Sequence, residues 1–419
     1  MSELQAVAAA ARRLRAEGQP FLVATVVGVR GSSYRRPGAR LLLAGDRWIA
    51  GSVSGGCLEG DLLRRGWWHT DGTAATVVSY DSMAEDGDPG WGVGFGCNGV
   101  VDVLLERGDL SDGSTNPAVD GLLKAVARGA SCASVTVFRS TVPVLPVGTR
   151  IIVERDGQVA ALAPAFRSGR EEGARLLRAL ITAGRRCLAR GPLRPCSEVM
   201  TLGGNAVQAL IETIVPPPAL FVCGGGRDAV PVVTMARQLG WEPWVWEPRR
   251  REAVAARFAG TPPLARLLSG PVNELGAAVG TAARPLAVVM SHDFDLDAQA
   301  LRALLPSPAL HIGVLGPRRR TEKLLATLEQ QAALPSDPWR RLSAPVGLAL
   351  GAETPEEIAL AIVAEAQAVL AGEKAGFLRD RQGPVHPERS REQAAATDAS
   401  DLSGHPGALA DGAELEAAE

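Results

Sequence analysis

The chain has few of the residues that mark several common classes of protein. Its 419 residues include only six cysteines and five histidines, and no Cys-x-x-Cys pair occurs. Secreted scaffolds are dense in cysteine, and zinc sites need closely spaced ligands, so neither class is expected and the thiols are predicted to be reduced. A net charge of −2 lacks the basic excess of a nucleic-acid-binding protein, so no nucleic acid partner is expected.

Long apolar runs are also missing. No run approaches the ~20 residues of a membrane span, so no membrane partner is expected. Residues 1–17 alternate apolar positions with arginines, which indicates an amphipathic helix rather than a signal peptide. We therefore expect a cytoplasmic protein. A hydrophobic content of 46% over 419 residues is enough for about two or three domains.

What the chain does contain is glycine, and one glycine-rich segment stands out: residues 51–61 read GSVSGGCLEGD. Cys57 lies where this turn leads into a predicted helix over 58–68. Gly55 and Gly56 permit unusual backbone geometry and close approach of a ligand. The positive end of a helix favours an anion, so Cys57 is a candidate reactive thiolate. The alternative is ordinary packing of a small buried cysteine.

A second cysteine occupies a similar setting. Residues 92–105 read GVGFGCNGVVDVLL, with Cys97 in a glycine-rich turn before a predicted strand. The two turns are candidates for one shared site. The spacing of 40 residues leaves open whether Cys57 and Cys97 come close enough for a disulfide.

Residues 30–40, RGSSYRRPGAR, form an arginine-rich loop between two apolar runs. Arginine presents a planar fork of donors that suits phosphate or carboxylate. The alternative is a solvated hairpin loop, since only three of the 44 basic residues are lysines. The candidate ligand-binding residues of this loop are Ser32, Ser33, Arg35, Arg36 and Arg40.

The second half of the chain carries a nucleotide-binding pattern. An apolar run at 219–223 leads into Gly224-x-Gly226-x-x-Ala229, and a helix is predicted over 227–239. This is the first turn of a dinucleotide-binding βαβ unit, and Gly224, Gly226 and Asp228 are its candidate ligand-binding residues. The predicted strand 241–246 ends at Glu247, which can accept hydrogen bonds from ribose hydroxyls. The following Arg249, Arg250 and Arg251 would instead suit a 2′-phosphate or another nucleotide phosphate.

Strands and helices continue to alternate after this unit, which predicts a doubly wound parallel sheet. Strands are predicted at 285–290 and 310–315, and helices at 295–305 and 318–331. Ligands in such sheets bind beyond the carboxyl ends of the strands, so His292, Asp293, Arg318 and Arg319 are candidate site residues. For His292 the alternative is a residue that caps a helix or satisfies the core.

The first half is predicted to be a mixed α+β unit. Its later elements are helices near 118–128 and 171–183, with strands near 133–138 and 150–161. The domain boundaries are predicted as 1–215, 216–372 and a disordered tail at 373–419 that is rich in polar and small residues. No internal repeat is found in the sequence.

These segments resemble the XdhC/CoxI family. The resemblance rests on GSSYRRPGA at 31–39, GSVSGGCLE at 51–59 and GCNG at 96–99, and on the Rossmann turn, SHDFDLD at 291–297 and GVLGPRRR at 313–320. It covers about residues 1–372 and implies an N-terminal XdhC/CoxI domain followed by a Rossmann-like domain. The chain departs from the family's usual residues at Asn98, Gly225 and Arg227. Asn98 tolerates a left-handed backbone and is compatible with the fold, whereas Arg227 places a cation near the nucleotide position, which weakens any transfer of ligand identity.

The resemblance implies an accessory factor that binds molybdenum cofactor, supports its sulfuration and inserts it into a molybdenum hydroxylase of the xanthine dehydrogenase or CO dehydrogenase type. The cofactor would be molybdopterin or its dinucleotide form, with NAD(P) as a further candidate for the Rossmann half. Cys57 and Cys97 would contact molybdenum or carry sulfur, and Arg35, Arg36 and Arg40 would hold the phosphate. The implied partners are the apoenzyme, a cysteine desulfurase or sulfurtransferase, and a second copy in a homodimer.

Two other functions stay open. The first is an NAD(P)-dependent oxidoreductase, although the chain has no Tyr-x-x-x-Lys pair and both tyrosines, Tyr34 and Tyr80, lie in its first half. The second is a scaffold that docks a sulfurtransferase onto the apoenzyme. Cofactor affinity and substrate-dependent nicotinamide absorbance distinguish these three functions.

Overall fold

The structure is a computed structural model. It describes residues 3–31, 33–56, 58–81, 99–109, 113–163, 171–191, 197–204, 206–249, 251–331 and 334–380. Residues 3–214 build two antiparallel sheets, called the first half below, and residues 219–371 build one parallel sheet, called the second half. This combination of a mixed α+β unit with a Rossmann-type sheet confirms the predicted fold class. The predicted boundary at 215/216 falls in the connection between them.

The first half repeats one order of elements twice. The first copy contains α1 (Glu3–Ala16), β1 (Leu22–Gly31), β2 (Arg40–Ala44), β3 (Arg47–Gly51), α2 (Glu59–His69), β4 (Ala75–Asp81) and β5 (Gly99–Arg107). The second contains α3 (Pro117–Ala127), β6 (Cys132–Ser140), β7 (Arg150–Glu154), β8 (Val159–Ala163), α4 (Glu171–Ala189), β9 (Ser197–Leu202) and β10 (Val207–Ile214). Their strand orders, β3-β2-β1-β5-β4 and β8-β7-β6-β10-β9, match position for position. The expectation of no internal repeat is therefore wrong at the level of structure.

The duplication extends to strand register and turn geometry. Thr25 of β1 lies opposite Arg40 of β2, and Thr136 of β6 lies opposite Arg150 of β7. The hairpin turn before each arginine contains a glycine with positive φ, at Gly38 and Gly148. Each of these glycines donates its N–H to the preceding strand over 2.8 Å. The two copies share the threonine, arginine and glycine that this hairpin geometry requires. So few shared residues explain why no repeat is apparent in the sequence.

Two buried ion pairs cross between the copies. Arg150 of the second copy donates to Glu106 of the first over 2.9 Å, with side chains 1% and 0% exposed. Arg40 of the first copy pairs with Glu212 of the second, again inside the protein. Glu106 and Glu212 occupy equivalent positions, since they face Val23 and Ser134 at matching points of β1 and β6. The copies therefore exchange equivalent pairs, as the two halves of a symmetric dimer would.

Apolar side chains join the two sheets and cover their other faces. Val27, Leu104, Phe138 and Leu210 form a buried cluster to which both sheets contribute. Helix α2 covers the first sheet with Leu58 and Leu62 among its buried contacts. Helix α4 covers the second sheet, because Leu176, Leu180, Ala183 and Cys187 recur at the spacing of one helical face.

The second half is a doubly wound sheet, as predicted. Its elements are β11 (Ala219–Cys223), α5 (Ala229–Gln238), β12 (Glu242–Trp246), α6 (Arg251–Arg257), β13 (Arg266–Leu268), α7 (Val272–Thr281), β14 (Pro285–Val289), α8 (Phe294–Leu304), β15 (His311–Val314), α9 (Arg318–Gln331), β16 (Leu342–Ser343) and α10 (Pro355–Ala371). Short 3₁₀ helices lie at Pro338–Arg340 and Leu378–Asp380. The strands are parallel in the order β13-β12-β11-β14-β15-β16. The winding reverses between β11 and β14, and ligands bind at such a reversal.

Buried apolar residues cover both faces of this sheet. One core includes Phe221, Trp246 and Leu301, and the other includes Val222, Val232 and Ile362. Strands buried on both faces read as continuous apolar runs, which is why 219–223 and 285–289 were recognisable in the sequence. Within the described ranges, no helix is both long and apolar enough to span a membrane.

Candidate functional site

The glycine-rich turn before α2 is wound around the carboxylate of Glu59. Glu59 is the first residue of the helix and is 1% exposed. The backbone N–H groups of Val53, Ser54 and Gly56 donate to it over 2.9, 2.9 and 2.8 Å. The Ser52 hydroxyl donates over 2.7 Å, and the Ser54 hydroxyl and the Gly55 N–H donate as well. One buried carboxylate therefore organises the whole turn.

Glu59 is ionised in this environment. Burial by itself would raise its pKa, but the hydrogen bonds from the side chain and backbone of Ser54, with those from Ser52 and Val53, lower the pKa to about 2. The amide donors that the sequence offers to an anionic ligand are thus already occupied. A contribution of Gly55 and Gly56 to a ligand site stays a prediction that rests on their backbone shape, with φ of 91° and 129°.

Cys57, Cys97 and Ser32 lie outside the described residues. The backbone on both sides of Cys57 is nevertheless fixed, because Gly56 donates to Glu59 and the Leu58 N–H donates to the Ser54 hydroxyl over 2.8 Å. The ring of Tyr34 lies against Gly55, where a Cβ would come within 3.1 Å of the ring. The arginine-rich loop and the cysteine turn, far apart in the sequence motifs, therefore meet in the structure. Tyr34 remains 70% exposed beside them.

The predicted residues of the arginine-rich loop divide into two groups. Arg35 pairs with Glu3 of α1, Arg36 is exposed, and the Ser33 hydroxyl donates to the Arg35 carbonyl over 2.9 Å. Arg40 is buried, and both of its terminal nitrogens donate to Glu212. Arg40 is therefore an ion-pair residue between the sheets rather than part of a phosphate site, which corrects the role expected for it. The sequence could not separate Arg40 from its neighbours because Glu212 lies in a different sheet.

The Rossmann turn has the geometry that its glycines predict. Gly224 has φ of 129°, and a Cβ there would come within 2.7 Å of the Met290 carbonyl oxygen. The backbone N–H groups of Gly226, Arg227 and Asp228 donate to no acceptor in the part of the chain that the structure describes. They precede α5, so they form a set of donors for an anion at its N-terminus.

Glu247 faces this turn from the end of β12. Its side chain is buried, with 7% of the residue exposed, and it accepts the Gly225 N–H over 3.3 Å. The backbone N–H and the Nε of Arg249 donate to its Oε1 over 3.1 and 3.0 Å. The predicted ribose-binding acid thus lies where the prediction requires, next to the glycine turn.

Arg249 also reaches across the carboxyl edge of the sheet. Its Nη1 donates over 2.9 Å to Asp293, which follows β14 on the other side of β11. Asp293 caps α8 by accepting the N–H groups of Asp295 and Leu296, each over 3.0 Å. The Leu296 N–H, helped by Arg249, holds the pKa of Asp293 below its usual range against a small opposing effect of burial. The hydrogen bond to Glu247 likewise raises the pKa of Arg249.

His292 pairs with Asp228 at the same edge. Its Nε2 lies 2.7 Å from the Asp228 carboxylate. Among the described residues, His292 is the one non-glycine with positive φ, at 59°. Such a backbone is uncommon for any residue other than glycine, and it is concentrated at functional sites. The pair is therefore a candidate for proton transfer, and it is an arrangement that neither residue's motif revealed.

Arg318 and Arg319 are arranged differently. Arg318 pairs with Glu322 over 3.0 Å and lies above the Trp339 ring, while Arg319 is exposed on α9. Their neighbour Arg320, which was not predicted, donates to the buried Asp297 over 2.5 Å. Asp297 also accepts the Ser291 hydroxyl over 2.5 Å, so Arg320 and Asp297 tie α9 to the end of β14. Helical spacing alone could have indicated that only one of three consecutive arginines faces inward.

The structure thus groups some predicted residues and not others. Gly224, Asp228, Glu247, His292 and Asp293 come together at the carboxyl edge of β11, β12 and β14. Sequence reasoning missed Glu59 and the bridging role of Arg249. A carboxylate at the first position of a helix after a serine- and glycine-rich turn was the available signal for Glu59.

The described residues offer little for metal binding or for cysteine chemistry. No group of three or more His, Cys, Asp or Glu side chains there is arranged to hold a metal ion. Cys132 and Cys223 are free and buried, and burial raises the pKa of Cys132 to about 11. Cys187 is disulfide-bonded, which corrects the expectation of reduced thiols at that residue.

Comparison with known proteins agrees with this architecture. The model of the XdhC and CoxI family matches residues 14–81, and the model of the XdhC Rossmann domain matches residues 220–366. A protein of Bacillus subtilis named as a probable xanthine dehydrogenase subunit is 28% identical over 82% of this chain and 91% of its own length. The uncharacterized protein YqeB of Escherichia coli is 30% identical, over 44% of this chain and 32% of its own length.

A solved structure shows the same fold. A crystal structure from Bacillus halodurans, named as a xanthine dehydrogenase, superposes with a TM-score of 0.65 at 26% identity. The match covers 89% of this chain and 97% of the other. The similarity therefore includes both the duplicated first half and the Rossmann half.

Proposed function

The chain belongs to the XdhC and CoxI family, and from this premise we propose that it is a maturation factor for a molybdenum hydroxylase. In this proposal it binds molybdenum cofactor, supports its sulfuration and hands it to the apoenzyme. Relatives named as a xanthine dehydrogenase or as part of one support a role linked to that class of enzyme.

The turn organised by Glu59 is the observation that carries the proposal. The molybdenum of the cofactor is bound by dithiolene sulfur, so a protein thiolate is a suitable further contact, and a cofactor carrier needs that thiol held in place without closing off the site. The hydrogen bonds to Glu59 and Ser54 fix the backbone on both sides of Cys57. The exposed Tyr34 ring beside the turn offers a flat surface for a pterin. Cys57, with Cys97, would then contact the metal or carry sulfur as a persulfide.

The anionic parts of the cofactor would be held by other residues. Arg35 and Arg36 remain the candidates in the first half, since Arg40 is committed to Glu212. In the second half, the amide groups of residues 226–228 and the carboxylate of Glu247 fit the diphosphate and ribose of a nucleotide. This donor set suits a dinucleotide form of the cofactor or a separate nicotinamide nucleotide. A desulfurase and a second copy of the chain stay proposed partners.

Anaerobic cofactor retention tests this function. Purified wild type, Cys57→Ser, Cys97→Ser and Cys132→Ser are mixed with molybdenum cofactor, and molybdenum and pterin are measured after gel filtration. We expect wild type and Cys132→Ser to retain both, because Cys132 is buried in the second copy, and Cys57→Ser to retain at least tenfold less. Equal retention by Cys57→Ser would remove that thiol from the site, and no retention by wild type would overturn the proposal.

One observation favours a second function, that of a nicotinamide-dependent oxidoreductase. The His292–Asp228 pair supplies an acid/base couple that the sequence did not reveal. If it is catalytic, wild type will oxidise NADH in the presence of some aldehyde, ketone or imine, and His292→Asn will abolish this. Asn tolerates the positive φ of this position, so the variant should fold. No turnover by wild type across such a panel excludes the second function.

A further inference from the structure

We propose that the second half selects a nucleoside 5′-diphosphate whose ribose 2′ and 3′ hydroxyls are free, and that it rejects a 2′-phosphate. This inference rests on the proposed function only in treating the Rossmann half as a nucleotide-binding unit. The sequence left the choice open, because Glu247 suits a ribose diol whereas the adjacent Arg249, Arg250 and Arg251 would suit a 2′-phosphate or another nucleotide phosphate. The surroundings of Glu247 and Arg249 favour the diol, while Arg250 and the side chain of Arg251 lie outside the described part of the structure.

The diphosphate has a defined place at the reversal of the sheet. The turn between β11 and α5 passes so close to β14 that Gly224 admits no side chain. A Cβ on Gly226 would likewise come within 2.2 Å of the Asp228 carboxylate. The amide groups of residues 226–228 donate to no acceptor among the described residues, and they precede α5 at the carboxyl end of β11. A diphosphate bound there would be stabilised by them and by the helix dipole.

Glu247 favours a ribose with free 2′ and 3′ hydroxyls over one that carries a 2′-phosphate. Its carboxylate is fixed by the Gly225 N–H and by Arg249, and it is largely shielded from water. A ribose diol can donate two hydrogen bonds to such a carboxylate. A 2′-phosphate at the same place would bring a second anion against a poorly solvated one, which is strongly unfavourable.

Arg249 compensates little for that repulsion, because two carboxylates already balance its charge. Its Nε and Nη2 donate to Glu247 over 3.0 and 3.4 Å, and its Nη1 donates to Asp293 over 2.9 Å. A 2′-phosphate would have to compete with two carboxylates that already balance the charge of one guanidinium. A diol needs no such rearrangement, because it uses the carboxylate that Arg249 already orients. Arg249 is therefore a positioning residue for Glu247.

Equilibrium binding by calorimetry tests the inference on the full chain. The ligands are NAD⁺, NADP⁺, CDP and 2′-deoxy-CDP at one ionic strength. For each pair of which wild type binds a member, NAD⁺ should bind at least about tenfold more tightly than NADP⁺, and CDP at least about tenfold more tightly than 2′-deoxy-CDP. NAD⁺ binding alone would assign the crevice to a nicotinamide nucleotide, and CDP binding would assign it to the nucleotide end of a dinucleotide cofactor.

Variants separate the roles of the two carboxylates. Glu247→Gln keeps an acceptor for Gly225 but removes the charge, so discrimination between NAD⁺ and NADP⁺ should fall to within about threefold. Adding Asp293→Asn frees Arg249 while Asn still caps α8, and the preference should shift toward NADP⁺. Glu242→Gln, at the exposed amino end of the same strand, is the control and should behave as wild type.

Three results would overturn the inference: NADP⁺ binding as tight as NAD⁺ in wild type, unchanged discrimination in folded Glu247→Gln, or no binding of any of the four nucleotides. The proposed function fails independently of these. A chain that binds NAD⁺ but retains no molybdenum cofactor would contradict the maturation role and leave the nucleotide preference intact.

Discussion

At the scale of single residues, buried carboxylates decide what the glycine-rich turns can do. In the turn at 52–56 the amide groups donate to Glu59, whereas three amide groups of the turn at 224–228 have no acceptor among the residues that the structure describes. Two segments that look alike in the sequence therefore differ in chemistry. The first presents a fixed backbone beside a cysteine, and the second presents donors to an anion.

Glu59→Gln is expected to destabilise the protein by about 2–4 kcal/mol, because the amide group of Gln would face N–H and O–H donors that now bind a carboxylate. Urea denaturation at neutral pH measures this change. Glu322→Gln, which breaks an exposed pair with Arg318, should cost less than about 0.5 kcal/mol. A loss at Glu59 as small as this control would show that the carboxylate does not hold the turn.

The same group predicts a pH dependence. The pKa of Glu59 falls from an ordinary 4.5 to about 2 on folding. Its stabilising contribution is therefore complete above pH 4.5 and is lost as the pH falls toward 2. The free energies of unfolding of wild type and Glu59→Gln should therefore converge as the pH falls from 4.5 to about 2. A difference in the free energy of unfolding that stays constant with pH would contradict a lowered pKa of Glu59.

At the scale of elements, the crossed ion pairs hold the duplicated sheets in register. Arg150 donates at once to one carboxylate oxygen of Glu106, to the Thr136 hydroxyl and to the Ala118 carbonyl, so it joins elements of both copies. Charges this deeply buried are unfavourable unless paired. The arrangement therefore specifies which faces of the two sheets meet more than it adds net stability.

Arg150→Met should destabilise the protein by about 3–5 kcal/mol, because it leaves Glu106 charged and buried. The double variant with Glu106→Gln should be less destabilised than the sum of the single changes, and a double-mutant cycle by denaturation measures the difference. Arg13→Met, in an exposed pair with Glu17, is the control and should be close to neutral. Additive effects at Arg150 and Glu106 would show that the pair is not coupled.

The elements also show what the sequence could predict. Helix α9 and the doubly buried strands β11 and β14 were predicted closely, because long periodicity and continuous apolar runs are strong local signals. The predicted strand over 150–161 is two strands, separated by a turn at Gly157 with φ of 84°. Strand β3 was not predicted, since its residues are exposed or half-buried at a sheet edge and lack an apolar pattern.

At the scale of the whole molecule, ion pairs between residues far apart in the sequence distinguish the structural arginines from those that remain candidates for binding a ligand. Arg40 and Glu212 are 172 positions apart, and Arg249 and Asp293 are 44 apart. The motifs identified the family and both halves of the fold. They could not indicate which arginines form ion pairs with carboxylates inside the protein, because that depends on how the fold brings distant strands together.

Cofactor transfer tests the maturation role most directly. The protein is loaded anaerobically with molybdenum cofactor, freed of excess by gel filtration and mixed with an apo molybdenum hydroxylase, and the metal and pterin on each protein are then measured. We predict that both move to the hydroxylase, which gains activity, and that Cys57→Ser supports neither change. Cofactor that never loads on wild type, or that stays on it in the presence of the apoenzyme, would contradict the account.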